Sequence, residues 1–168
     1  KNAKSIMEKL FSLGWYRKLI QNKQEIMIGY SDSSKDAGKL SASWHQYKAQ
    51  EEIVKLGKKF NIEITFFHGR GGSAGRGGGP IQATMRSLPP NSVNGRIRIT
   101  DQGEVIQQKY GYEPLAKYNL CSYIGAVSEA TLIPPPQPKD SWRALIEKMS
   151  EISKSSYRKN INQSSDFI

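Results

Sequence analysis

The chain has 168 residues, with 25 Lys and Arg against 15 Asp and Glu, and its only cysteine is Cys121. A single cysteine excludes an intrachain disulfide scaffold and is typical of a reducing compartment. No uncharged apolar run approaches the roughly 20 residues that a membrane span requires. We therefore expect a cytoplasmic protein with no membrane partner.

The net charge of +10 is distributed unevenly along the sequence. Residues 64–100 contain no Asp or Glu, yet they contain five arginines: Arg70, Arg76, Arg86, Arg96 and Arg98. A guanidinium group donates two parallel hydrogen bonds to a planar anion, so this stretch suits a phosphate or carboxylate ligand. The lysines are spread over the rest of the chain, as on an ordinary solvated surface.

Hydrophobic periodicity predicts that strands and helices alternate. The first part of the chain is predicted to contain a helix at 3–20, a buried strand at 25–30, a polar loop with the sequence SDSSKDAG, and a long helix at 40–60. A second strand at 62–67 precedes the glycine-rich loop HGRGGSAGRGGGP and a short helix, IQATMRSL, which Pro89 and Pro90 end.

The last part of the chain begins with a predicted strand at 96–100. It is followed by the turn DQGE, a polar extended segment to Tyr110, a helix at 113–132, a stiff proline-rich connector at 134–138 and an amphipathic helix around Trp142 to Ile152. We expect the residues from about 157 to 168 to be frayed.

Alternating strands and helices indicate an α/β fold with a parallel sheet, either open and doubly wound or closed into a barrel. In both folds ligands bind at the carboxyl ends of the strands, so the three loops that follow strands should open on one edge. Three units are too few for an eight-stranded barrel. We therefore interpret residues 1–168 as a fragment of a single, longer domain.

The first loop contains Asp32 and Lys35. A carboxylate just past a strand end can ligate Mg²⁺ or Mn²⁺, which prefer oxygen donors. Lys35 could stabilise an enolate or phosphoryl oxygen. However, Asp and Ser also form ordinary turns by bonding to their own backbone, and that alternative stays open.

The glycine-rich loop carries His68, Arg70 and Arg76. It lacks the Gly-Lys-Ser/Thr triplet of a P-loop, and the acid that a dinucleotide site needs about 20 residues later is missing. An RGG-type RNA segment would be expected in a disordered tail. A mobile, anion-binding catalytic loop fits best, and His68 is either a catalytic group or a packed, structural histidine.

Arg96 and Arg98 alternate along the third predicted strand, so they should share one face of the sheet. Two charges on one face need partners or water. Gln102 and Glu104 are candidate partners because they follow the strand closely.

Several long motifs together resemble the phosphoenolpyruvate carboxylase family over residues 24–158. They are IMIGYSDSSKDAG, the helix with Trp44-His45-Gln46-Tyr47, FFHGRGGSAGRGGGP, LPPNSVNGRIRITDQGEVIQQKYG and LIPPPQPKDSWRALIEKMS. PPPQPKDSW favours the bacterial form. The resemblance implies a helix-rich protein with a (β/α)₈ TIM-type barrel, incomplete in this chain, and a homotetramer.

The implied reaction makes oxaloacetate and phosphate from phosphoenolpyruvate and bicarbonate with Mg²⁺ or Mn²⁺, through carboxyphosphate and the pyruvate enolate. By motif, Asp32 would ligate the metal and Lys35 would be an active-site group. His68 and Arg70 would lie beside the carboxylation step. Arg76 would assist catalysis from a mobile loop and contact inhibitory aspartate or malate.

The family's second metal carboxylate and its other catalytic histidine lie upstream of residue 1, and its phosphate-binding arginines lie downstream of residue 168. We therefore expect the isolated chain to be inactive. Two alternatives stay open: a basic nucleic-acid-binding module with a Gly-Arg loop, and another phosphoenolpyruvate or pyruvate barrel enzyme.

Overall fold

A computed structural model describes residues 2–29, 31–69, 81–101 and 103–162. Within these ranges the chain forms a helix-rich α/β structure around one small sheet. The helices are α1 (Ala3–Ser12), α2 (Gly14–Leu19), α3 (Ser31–Ala37), α4 (Lys39–Phe60), α5 (Ile81–Arg86), α6 (Gly103–Tyr110), α7 (Glu113–Leu132) and α8 (Asp140–Asn162), and the strands are β1 (Lys23–Ile28), β2 (Glu63–Gly69) and β3 (Arg98–Thr100).

The sheet is parallel, in the order β1-β2-β3. Ile28 pairs with His68, and His68 pairs with Ile99. The carboxyl ends of all three strands therefore lie at one edge, as the alternating pattern predicts.

Helices α4, α5 and α7 pack on one face of this sheet. Ile28 and Phe66 form a core cluster with Ile53 and Val54 of α4. A second cluster joins Met85 of α5 and Ala126 and Ala130 of α7, with Ile97 and Ile99 packed against it. On the opposite face the side chain of Met27 is 63% exposed. The sheet thus has one covered face and one that the described residues leave open.

Gly57, in the last turns of α4, has no room for a side chain. A Cβ on Gly57 would lie 2.7 Å from the side chain of Ile64 and 2.9 Å from the carbonyl oxygen of Ile62. Asn61 then ends α4 in the left-handed region, with φ of 53°, which asparagine tolerates better than most residues. This tight turn sets the position of β2 beneath the helix.

Four predicted segments differ in the structure. The helix predicted at 3–20 is broken by the extended backbone at Leu13. SDSSKDAG is largely helical, as α3, and the segment predicted to be extended up to Tyr110 is α6. Fraying was expected from about 157 to 168; helix α8 continues through residues 157–162, and residues 163–168 lie outside the described residues.

The predicted bounds of α4, of α7 and of the proline-rich connector agree with the structure. Helices α4 and α7 lie within a residue of the predicted bounds, and residues 134–139 form no helix or strand. Among the described helices, none is both long and apolar enough to cross a membrane.

Candidate active site

Asp32 lies in the first turn of α3, just past the end of β1. Both of its carboxylate oxygens lie 3.0 Å from the point where a Cβ on residue 29 would stand. Gly29 therefore leaves the space that this carboxylate occupies. The side chain is exposed, so its oxygens are accessible to a ligand.

Lys35 lies three residues after Asp32 and is also exposed. Residues three apart in a helix are neighbours on its surface. The next residue, Asp36, is instead bound to α8: Arg158 donates to its carboxylate at 2.9 Å and to its backbone carbonyl at 3.2 Å. Helix α3 thus presents two exposed groups while α8 binds its C-terminal end.

Gln46 of α4 contacts the strand end from the helix layer. Its side-chain amide donates a short hydrogen bond to the carbonyl oxygen of Gly29. Sequence reasoning assigned no role to Gln46, although it falls in one of the motifs that carry the family resemblance. The contact joins residues 17 positions apart, and local periodicity carries no signal for it.

His68 is the penultimate residue of β2, not the first residue of a loop. It pairs with Ile28 and Ile99, shares the covered face of the sheet with Phe66, and is 9% exposed. Its side chain therefore lies on the helix side of the sheet. Asp32 and His68 are nonetheless at the same edge, because Ile28 is only four residues before Asp32.

A cavity of about 190 Å³ separates His68 from α4 and α5. Its polar lining includes Tyr47, Gln50 and Thr84. Burial raises the pKa of the Tyr47 phenol, and the negative charge of Glu51 raises it further. Tyr47 is therefore a neutral hydroxyl group at physiological pH.

The five arginines of residues 64–100 divide into two groups. Arg86, Arg96 and Arg98 form ion pairs with Glu129, Glu63 and Glu25, at 3.0, 2.6 and 2.7 Å. Arg70 and Arg76 lie outside the described residues.

Gln102 and the side chain of Glu104, the candidate partners of the strand arginines, lie outside the described residues. The observed partners of Arg96 and Arg98 belong to the other two strands, Glu63 to the adjacent β2 and Glu25 to β1, which lies beyond β2. The guanidinium of Arg98 also lies 4.7 Å from the ring centre of Phe67. Arg96 and Arg98 are therefore paired with carboxylates of the sheet, and the anion-binding role of Arg70 and Arg76 stays a prediction.

Comparison with known proteins agrees with the motifs. The family model described as phosphoenolpyruvate carboxylase matches residues 1–168. The chain belongs to the phosphoenolpyruvate carboxylase family. It is 51% identical to the phosphoenolpyruvate carboxylase of Shewanella sediminis and 50% identical to that of Escherichia coli O81, each over 167 residues and 99% of this chain. The matched region is 19% of the length of each relative.

Membership of the phosphoenolpyruvate carboxylase family leaves the nucleic-acid alternative without support. The net positive charge suggested that alternative, but among the described arginines Arg86, Arg96 and Arg98 are paired with carboxylates. Surface ion pairs of this kind contribute about 1 kcal/mol or less. Their main consequence here is local neutralisation of charge on the sheet and on α5.

Among the described residues, the carboxylate of Asp32 is suited to ligate a divalent cation as a single protein ligand. The described residues contain no group of three or more His, Cys, Asp or Glu side chains able to enclose a metal. Mg²⁺ is commonly held by one or two carboxylates, with water and substrate oxygens in the remaining positions. The exposed carboxylate of Asp32 at a strand end is suited to that kind of open site.

Proposed function

We propose that this chain is a segment of the catalytic domain of a phosphoenolpyruvate carboxylase, which forms oxaloacetate and phosphate from phosphoenolpyruvate and bicarbonate. The observation that carries the proposal is the register of Ile28 with His68, which brings the Asp32 helix and the end of β2 to one edge. In parallel sheets this edge is where ligands bind.

The sheet supports a further proposal, that the three strands belong to a (β/α)₈ barrel. Helices cover the Ile28 and Phe66 face, while Met27 on the other face is exposed. In a barrel the second face would be the interior, filled by side chains of strands from elsewhere in the longer protein. We further propose a cytoplasmic homotetramer.

The reaction proceeds in two bond-forming steps. A bicarbonate oxygen attacks phosphorus, and the bond from phosphorus to the enol oxygen breaks, giving carboxyphosphate and the pyruvate enolate. Carboxyphosphate then releases carbon dioxide and phosphate, and the enolate carbon attacks the carbon dioxide to give oxaloacetate. Carboxyphosphate and the enolate are both anions, so the site must supply positive charge.

Each candidate residue has a role in this scheme. Asp32 would hold Mg²⁺ or Mn²⁺, and the cation would supply positive charge to offset that of the anions. The ammonium group of Lys35 offsets charge on the same anions. His68 and Arg70 act at the carboxylation step. Arg76 assists from the glycine-rich loop, and aspartate or malate would inhibit by binding Arg76 in a second position.

Arg70→Ala in the full-length enzyme tests this function. Arg70 acts in the second step, so the variant should lose oxaloacetate formation by on the order of 100-fold, as expected for losing one charged stabilising group. Phosphate release that depends on bicarbonate should largely persist. The measurement is the ratio of oxaloacetate to phosphate formed under identical conditions.

Arg86→Ala is the matched control. Arg86 forms an exposed ion pair with Glu129, so its removal should leave the product ratio at the wild-type value. An Arg70→Ala enzyme with a normal yield of oxaloacetate would show that Arg70 has no part in carboxylation. A product other than oxaloacetate from the wild-type enzyme would indicate a different phosphoenolpyruvate or pyruvate barrel enzyme.

A further inference from the structure

The carbonyl of Gly29 lies one residue beyond the last paired residue of β1, Ile28. Gln46 donates its side-chain amide hydrogen to this carbonyl. On the other side of the glycine, the carboxylate of Asp32 lies 3.0 Å from the point where a Cβ on residue 29 would stand, and the hydroxyl oxygen of Ser33 lies 3.1 Å from the same point. Residue 29 is therefore held between α4 and the carboxylate.

We propose that Gln46 is a positioning residue for the carboxylate of Asp32, and through it for the bound divalent cation. This inference rests on the proposed role of Asp32 as a metal ligand. Residues that orient a ligand by hydrogen bonds change metal affinity by about 10- to 100-fold when they are removed. Gln46 acts indirectly, because it hydrogen-bonds to the carbonyl of Gly29, and the carboxylate of Asp32 packs against Gly29.

The support behind Gln46 is rigid. Helix α4 has 22 residues and packs on β1 and β2 through Ile53 and Val54. A hydrogen bond from this helix therefore fixes the strand end relative to the core, and the position of Asp32 follows because its carboxylate packs against Gly29.

The experiment compares Gln46→Met with Gln50→Met in the full-length enzyme. Methionine keeps the shape of glutamine but cannot donate a hydrogen bond. Gln50 lines the same cavity as Gln46 and lies on the same helix. Its side-chain amide donates to the backbone carbonyl of Gln46, within α4, and not to Gly29. The readout is the dissociation constant for Mn²⁺ without substrate, measured by electron paramagnetic resonance.

We expect Gln46→Met to raise this dissociation constant by about 10-fold, with Gln50→Met close to wild type. Equal weakening in both variants, or a lower melting temperature for Gln46→Met with unchanged Mn²⁺ affinity, would show only a structural role and overturn the inference. Asp32→Asn is the third arm. If it leaves Mn²⁺ binding unchanged, the metal role of Asp32 itself is wrong; if it abolishes binding while Gln46→Met does not weaken it, only the positioning role fails.

Discussion

Gly29 has no side chain, and the Asp32 carboxylate occupies the space where one would lie. A methyl group there would meet both carboxylate oxygens at 3.0 Å, closer than carbon and oxygen normally approach. The carboxylate ends an exposed side chain and can rotate away, whereas the backbone at residue 29 is held by Gln46. We therefore expect a methyl group at residue 29 to displace the Asp32 carboxylate and to leave the fold unchanged.

We predict that Gly29→Ala in the full-length enzyme weakens Mn²⁺ binding by about 10-fold, as for other changes in ligand orientation. The melting temperature without metal should stay within about 2 °C of wild type, because the strain is relieved by rotation of the exposed Asp32 side chain and should alter stability by about 0.5 kcal/mol or less. Metal titration and thermal unfolding measure the two effects separately.

Gly125→Ala is the control for adding a methyl group to a glycine. Gly125 lies in α7, and a Cβ there would meet no atom within 4 Å. This variant should bind Mn²⁺ normally. Unchanged Mn²⁺ affinity in Gly29→Ala would mean that the packing of Asp32 on Gly29 does not matter for the metal.

At the scale of residues, sequence reasoning found the groups that follow strands and missed those that act across elements. Asp32 and His68 could be placed at one sheet edge because strand ends are readable from hydrophobic runs and turn residues. The contact of Gln46 with Gly29 depends on how α4 crosses β1. No local pattern encodes such a contact.

At the scale of elements, α3 shows why a polar segment can be misassigned. Ser, Asp and Gly predict a turn through their local bonding. An acidic residue in the first turn and a basic one in the last are also favourable for a helix, because they complement its dipole. Asp32 and Lys35 satisfy that pattern, and the contacts of α3 with α4 and α8 add tertiary support that the sequence does not display.

Helices α4 and α8 meet through polar groups. The carboxylate of Glu147 accepts hydrogen bonds from the indole of Trp44 at 2.6 Å and from Lys48 at 2.5 Å. Arg143 binds Glu51, and the hydroxyl groups of Ser150 and Ser41 are 3.1 Å apart in a buried contact. These partners are about 100 residues apart in sequence. Periodicity predicted both helices but not their contact.

The pKa of Glu147 is lowered, first by the hydrogen bond from Lys48 and then by that from Trp44. A carboxyl whose pKa is lower in the folded state stabilises the fold above its unfolded pKa, which is about 4.3. That contribution is lost as the pH falls through the lower folded value. The side chain is 40% exposed, so screening limits the effect to about 1 kcal/mol or less.

We predict that Glu147→Gln loosens the packing of α8 near pH 7 but not at strongly acidic pH. Hydrogen exchange of α8 peptides, compared between the variant and the wild-type enzyme at each pH, should be faster in the variant at pH 7. The difference should shrink as the pH falls below about 4.3 and through the lowered pKa of the folded state, where the wild-type carboxyl becomes protonated.

Glu8→Gln is the control for this pH dependence. Glu8 also has a lowered pKa, caused first by the hydrogen bond from Lys59, but it joins α1 to α4. Its removal should not change exchange in α8. A difference for Glu147→Gln that persists undiminished at low pH would mean that the ionised carboxylate does not stabilise this contact.

At the scale of the whole molecule, a large apolar surface is open to solvent. An exposed stripe on α8 recurs at helical spacing and consists of Trp142, Leu145, Met149 and Ile152, with exposed fractions of 58, 60, 44 and 61%. The exposed side chains of α7 include Leu120 and Ile124, and Met27 lies on the open face of the sheet. Contiguous apolar surface of this kind favours association.

Sequence patterns predicted the parallel sheet and the amphipathic nature of α8, but not the direction of its apolar stripe. An apolar stripe normally faces the core of its own domain. Here α8 turns polar groups toward α4 instead, so the stripe is free to contact the rest of a longer protein. The relatives, about five times as long as this chain, have ample sequence for that.

We predict that the isolated 168-residue chain self-associates and forms no oxaloacetate. Sedimentation velocity should show species larger than the 18.9 kDa monomer. Leu145→Lys with Ile152→Lys should shift the distribution toward monomer, because both changes place charge on the apolar stripe. Ser141→Lys with Ser155→Lys adds the same charge beside the stripe and should leave association nearly unchanged. A monodisperse wild-type monomer would show that the exposed stripe does not drive association, and catalytic turnover by the isolated chain would show that this segment contains a complete active site.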